Sequence, residues 1–154
     1  MPKIVDHDAQ RELFAEAAIR LIARDGFEGM TMRAVAAEAG LSYGSLFHYF
    51  GSKDELLSHA VRQLTAQQSR RVNDFSSRST GLKALERLLL DDALVDASSR
   101  DEAVVWLAFL SRAALEPTLA AMHGQLIDGW LERIRQMLDE ARAAGEVQAL
   151  LDSE

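Results

Sequence analysis

Residues Thr31–Leu57 read TMRAVAAEAGLSYGSLFHYFGSKDELL, and this stretch decides the fold. Thr31 can cap a helix through its hydroxyl, and Val35, Ala36 and Ala39 put one apolar face on a helix from about Met32 to Ala39. Gly40 ends that helix, because the chain must turn sharply there and glycine accepts a positive φ without steric cost. Leu41 plugs the corner, and Ser42 caps a second helix through about Tyr49 with Leu46 and Phe50 turned to the core. Ala36 lies where two helices crossing at roughly 90 to 120° come closest, so a bulky side chain there would displace the second helix. Ser52, with Glu55 three residues on, is a capping box that opens a third helix. Apolar, alanine and glycine positions coincide in one register, which favours a helix-turn-helix over three unrelated short helices.

Working outward, Leu13, Phe14, Ala17, Ala18, Leu21 and Ile22 form an apolar stripe on a preceding helix that Gly26 terminates. The helix opened at Ser52 extends to about Val72, with Leu56, Leu57, Ala60, Val61 and Leu64 apolar. SSRSTG at 76–81 reads as a linker. Three more helices are expected: Leu82 to about Leu94, Arg100 to Glu116 ended by Pro117, and about Thr118 to Ala144 stopped by Gly145. Strand-like alternation is absent, so the fold class is all-α. The expected organisation is a three-helix helix-turn-helix domain over residues 1–51 and a helical domain over 52–154, connected by the helix at 52–72; the resemblance given below implies DNA binding for the first and ligand binding and dimerisation for the second.

The 154 residues are 48% hydrophobic, enough for one substantial core or two small ones. Cysteine is absent, which removes disulfides and thiolate chemistry. No apolar run is long enough to span a bilayer and MPKIVDHDAQ lacks a signal-peptide core, so a cytoplasmic protein is expected. The net charge of −7, and a balance of −3 from six bases and nine acids in residues 1–60, argue against binding any polyanion by charge alone. Arg33 and Lys53 flank the second helix of the motif, so duplex binding is expected to be local and site-dependent.

From about residue 9 to 61, in GFEGMTM and VAAEAGLSYGSLFHYFGSKDELL, the chain resembles the TetR/AcrR family of transcriptional regulators. The resemblance implies that the helix capped by Ser42 enters the major groove of an operator. Carried over by position, Tyr43, Gly44 and Ser45 face bases or their flanking backbone, and Thr31, Arg33, Phe47, His48 and Lys53 sit at or near phosphates. Many relatives have a phosphate-binding tyrosine hydroxyl where this chain has Phe47, which makes His48 or Tyr49 its replacement. EAVVWLAFLSRAALEPTLAAMHGQLIDGWL is similar, through apolar spacing, to the ligand-binding half of BetI-type members. Relatives continue past this length with helices that make the dimer interface; here the sequence ends at Glu154, either naturally short or lacking a C-terminal segment.

No constellation for catalysis or metal binding is found, and neither enzymatic activity nor a cofactor is expected. His59 lies one turn from Glu55 and reads as a surface pair, and neighbouring Asp91 and Asp92 read as a solvated face. Trp106, Phe109 and Leu110 share one helical face, and Met122, Leu126 and Trp130 another, with His123 a polar group beside them. These are the candidates for an effector site. Plain core is the competing reading.

Three functions follow: a dimeric repressor of a pseudo-palindromic operator released by a small-molecule effector, a ligand-independent dimeric DNA-binding protein, and a bundle enzyme or adaptor that keeps the motif as scaffold. The missing catalytic constellation disfavours the third, and the sequence does not separate the first two. The expected dimer surface is the long helix from Thr118 to Ala144, where Leu126, Trp130, Leu131, Ile134 and Leu138 give a wide apolar face.

Overall fold

The computed structural model describes residues 7–76, 80–93 and 100–151, and these form eight helices. They are α1 (His7–Gly29), α2 (Met32–Glu38), α3 (Tyr43–Tyr49), α4 (Lys53–Ser76), α5 (Gly81–Asp92), α6 (Arg100–Ala113), α7 (Pro117–Ala143) and α8 (Glu146–Leu151). No strand occurs among the described residues, and no helix among them is long and apolar enough to cross a membrane. Residues 77–79 of the expected linker, and Leu94 where the following helix was expected to end, lie outside the described residues.

The chain forms two compact units, divided otherwise than at residues 51 and 52. The first unit holds α1–α3, α4 as far as Thr65, α6 and the first residues of α7 through Ala120. The second holds α4 from Ala66, α5, α7 from Ala121, and α8. The difference arises because α6 packs along α1. Phe14, Ala15, Ala17, Ala18, Leu21 and Ile22 are all buried on α1, an arc too wide for α2 and α3 alone, and α6 buries Val105, Phe109 and Ala113. An apolar stripe shows which face of α6 is covered but not by what.

In the first unit, the local chemistry expected of the motif is present. Gly26 (φ 74°, ψ 173°) breaks α1, and one further turn leads to buried Met30. The Thr31 hydroxyl accepts the Ala34 N–H at 3.1 Å and starts α2. At its end the Leu41 N–H reaches back to the Ala36 carbonyl at 3.0 Å and the Gly40 N–H to Ala37 at 3.1 Å. That pair of bonds needs a left-handed residue between them, and Gly40 has φ +67°. Ser42 caps α3 by accepting the Ser45 N–H at 3.0 Å, and Leu46 and Phe50 turn inward. Ser52 caps α4 through the Glu55 N–H at 3.1 Å, while Glu55 accepts the Gly51 N–H at 2.8 Å, one residue upstream of the expected capping-box partner. Leu56, Leu57, Ala60, Val61 and Leu64 are buried as expected.

Three local expectations are corrected. Leu13 is 44% exposed and Ala15 replaces it in the core, because the α1 stripe is rotated by the cover that α6 supplies. Helix α6 ends at Ala113, short of Glu116, and Pro117 opens α7 rather than ending α6, in the first-turn position where its missing N–H costs nothing. His59 stands 5.4 Å from the Phe50 ring, its carboxylate neighbour Glu55 being taken up by Gly51. Burial lowers the His59 pKa from its usual 6.5, with the charges of Arg11 and Arg62 acting in the same direction.

The second unit is organised around Val72, Ala84, Leu88 and Met137, with Leu85, Trp130 and Ile134 packed against them. Helix α8, absent from the sequence expectation, has a capping role. Glu146 accepts the Leu82 N–H at 2.8 Å and Glu140 the Gly81 N–H at 3.5 Å, so carboxylates from α8 and α7 satisfy the start of α5, where Thr80 makes no side-chain cap. Asp91 is not a solvated carboxylate, since it lies between Arg71 at 3.3 Å and Arg87 at 3.5 Å. The side chain of Asp92 is outside the described set.

Candidate nucleic-acid interface

Helix α3 has an inner and an outer face, and the expected site residues divide between them. Tyr43 and Phe47 are 42% and 48% exposed, and Ser42, Gly44 and His48 are exposed beside them. The Tyr43 and Phe47 rings meet edge to face, 4.8 Å apart at 84°. The guanidinium of exposed Arg33, on α2, lies 5.5 Å from the centre of the Tyr43 ring. Thr31 and Ser42 each accept a backbone N–H at the oxygen, which leaves the hydroxyl proton to be donated outward. A β-carbon built at Gly44 would meet nothing within 4 Å, so no packing demand accounts for a helical glycine that costs about 1 kcal/mol relative to alanine.

Ser45 and Tyr49 belong to the inner face. The Ser45 hydroxyl donates to Gln10 Oε1 at 3.4 Å and the Tyr49 hydroxyl donates to the same oxygen at 2.9 Å. With its one proton given to Gln10, the Tyr49 oxygen accepts from His7 Nδ1 at 2.7 Å. The Tyr49 ring is buried beside Phe14, at 6.0 Å, and the Arg11 guanidinium lies 5.8 Å from its centre. Tyr49 therefore holds α3 to the first turns of α1, and of the two expected substitutes for the missing tyrosine hydroxyl only His48 is outward. Gln10 and His7 were not singled out from the sequence. A polar pair in the first turns of α1, four and seven residues ahead of Phe14, is the only signal they leave there.

Lys53 and Arg112 converge on one ring. Lys53 Nζ donates to the Phe27 carbonyl at 2.9 Å and stands 4.4 Å from the centre of its ring, and the Arg112 guanidinium stands 5.7 Å from the same centre. Arg112 also pairs in bidentate fashion with Asp54, at 2.7 and 3.0 Å, which raises its pKa. The last turn of α6 is thus fastened to the first turn of α4 within one unit. Arg20 and Arg24 pair with Glu38 at 3.1 and 3.6 Å, so part of the acid excess is neutralised locally.

The expected effector residues fall into both units. In the first unit Phe109 is fully buried on α6 with Trp106 edge-on at 5.7 Å, while Leu110 is 40% exposed. In the second, Met122 is buried, His123 and Leu126 are half-buried, and Trp130 joins the unit's core. Ile134 joins it too, so two residues of the expected dimer face are already covered.

Residues 12–60 match the model of bacterial regulatory proteins of the TetR family, and residues 81–154 match the C-terminal model of BetI-type transcriptional repressors. The HTH-type transcriptional regulator PksA of Bacillus subtilis is 34% identical over 143 residues, covering 92% of this chain and 69% of PksA. The BetI regulator of Burkholderia pseudomallei is 36% identical over 124 residues, covering 77% of this chain and 62% of BetI. This chain thus spans about two thirds of the length of these curated relatives. A solved transcriptional regulator from Saccharomonospora viridis, in complex with choline, superposes with a TM-score of 0.77 at 26% identity over 90% of this chain and 72% of that one. The chain belongs to the TetR family of bacterial transcriptional regulators.

Proposed function

We propose that the chain is a one-component cytoplasmic repressor that binds a pseudo-palindromic operator as a homodimer and releases it when a small molecule binds. The observation that carries this reading is the outer face of α3. Tyr43, Gly44, Phe47 and His48 stand exposed on a helix fixed by the Ser42 cap, a left-handed glycine turn and the Gln10 bonds, with Arg33 and the Thr31 hydroxyl beside it. Such a helix presents base-reading groups in a fixed register while its flanks donate to phosphates. One such helix reads too few base pairs to select a genomic site, which is the reason for a two-fold dimer.

For the effector, a cationic or apolar metabolite fits best. The Saccharomonospora viridis relative is described with choline, and an indole face, such as that of Trp130 in the second unit, suits a quaternary ammonium group. Helix α4 starts beside the reading helix and continues into the second unit, and Arg112 ties its first turn to α6. A ligand that prefers a state with α4 displaced would lower operator affinity by its difference in affinity between the two states. The ligand-independent alternative gains support from Phe109 and Trp130, which are both spent on cores.

The test is binding of the chain to duplexes selected from a random pool, repeated with choline and related ammonium compounds. A ligand at 100 times its dissociation constant adds about 2.7 kcal/mol of stability, visible as a thermal shift. Stabilising compounds that weaken operator binding support the repressor reading; stabilising compounds that leave it unchanged support the alternative.

A further inference from the structure

We infer that the amide oxygen of Gln63 on α4 is the polar anchor of the effector, and that the effector is an apolar molecule carrying one N–H or O–H donor. This rests on the reading of a repressor released by a small molecule and adds the chemistry that the ligand must bring.

Gln63 lies seven residues after Leu56 and three after Ala60 on α4, so its side chain leaves the helix on the side of two fully buried residues. Its Oε1 is closed off from solvent and accepts no hydrogen bond, the only buried side-chain polar atom left unpaired among the described residues. The helix cannot supply the donor, because each backbone N–H in its interior is committed to the carbonyl four residues back. Two residues on, the Thr65 hydroxyl donates to the Val61 carbonyl at 2.9 Å, a solution open to a donor but not to an acceptor. Other polar groups of the first unit that leave the solvent are paired, as Gln10 is with Ser45 and Tyr49, and Asp54 with Arg112. A leucine or methionine at position 63 would cover the same face without stranding an oxygen, so packing does not account for the amide. The missing donor must come from a small molecule, since neither a duplex nor a protein surface reaches an atom closed off from solvent. One acceptor beside apolar residues also limits the ligand to one donor, because further polar groups would themselves go unpaired. Choline has such a group in its hydroxyl, whereas a tetraalkylammonium ion has none.

Two matched pairs of probes differ in the donor: protonated benzyldimethylamine against benzyltrimethylammonium, and benzyl alcohol against benzyl methyl ether. Binding to the full chain is measured by titration calorimetry, and operator affinity is measured with and without each compound. In at least one pair the donor member should bind about tenfold more tightly, and the pair that shows it tells a charged donor from a neutral one. Gln63→Met, which removes the acceptor, should erase that preference and raise the melting temperature of the ligand-free chain. A preference that survives Gln63→Met, or none in either pair, overturns the inference. A fall in melting temperature, which would mean that the oxygen is paired without a ligand, overturns it as well. If choline or another compound still weakens operator binding under those results, the repressor reading stands; if no compound does, that reading fails too.

Discussion

The α2–α3 hairpin and the second unit are both small helical assemblies, yet they are built on different rules. In the hairpin each decisive bond spans a few residues: Thr31 to Ala34, Ser42 to Ser45, and Gly40 and Leu41 back to Ala37 and Ala36. In the second unit the start of α5 is capped by Glu146 and Glu140, and its core joins Val72 to Met137. Local bonds shape the hairpin, and Gln10 of α1 then holds the inner face of α3 through Ser45 and Tyr49. The second unit instead depends on contacts between residues far apart in sequence, so its order rests on packing rather than on local caps.

The largest expected effect breaks the comparison at its boundary. Phe109 sits on α6, which the sequence assigns to the second half and the structure to the first unit. Phe109→Ala should cost about 3 to 5 kcal/mol and abolish operator binding by unfolding the first unit. If calorimetry showed the second unit alone destabilised, α6 would belong there. Gly40→Val comes next, at roughly 1 to 3 kcal/mol, because a β-branched residue cannot sit at φ +67° without strain. Operator binding should be lost with it; unchanged melting would place the turn's rigidity elsewhere. Gln10→Ala removes the acceptor shared by Ser45 and Tyr49 and should cost about 1 kcal/mol. Its sharper signature is a loss of discrimination between operator and random duplex at a temperature where the variant is fully folded.

The smallest effect is a pH dependence. His59 has a lowered pKa when folded, so below about pH 6.5 the unfolded chain takes up more protons than the folded one. Stability should therefore fall as pH drops from 7 to 5, and the slope should be shallower in His59→Asn. Equal slopes for the two proteins would show that another group carries the dependence.

The hairpin was legible in the sequence because its caps, turn glycine and apolar register are short-range features. Fold class and most helix limits were legible for the same reason. The cover of α1 was not, since Val105, Phe109 and Ala113 mark a face on α6 without identifying its partner. Helix α8 was missed because EVQALL is too short for a stripe, and its capping contact lies 64 residues away in sequence. Of the residues expected at DNA, Tyr43, Gly44, Phe47 and His48 are exposed on α3, whereas Ser45 and Tyr49 turn inward to a Gln10 that no motif marks.

The most direct test compares the wild-type chain and Tyr43→Ala on a selected operator and on random duplex at one fixed salt concentration. The account predicts that the substitution costs roughly 1 to 3 kcal/mol on the operator and far less on random DNA, with an unchanged salt slope. Equal losses on both duplexes, or no loss on the operator, would contradict the assignment of α3 as the reading helix.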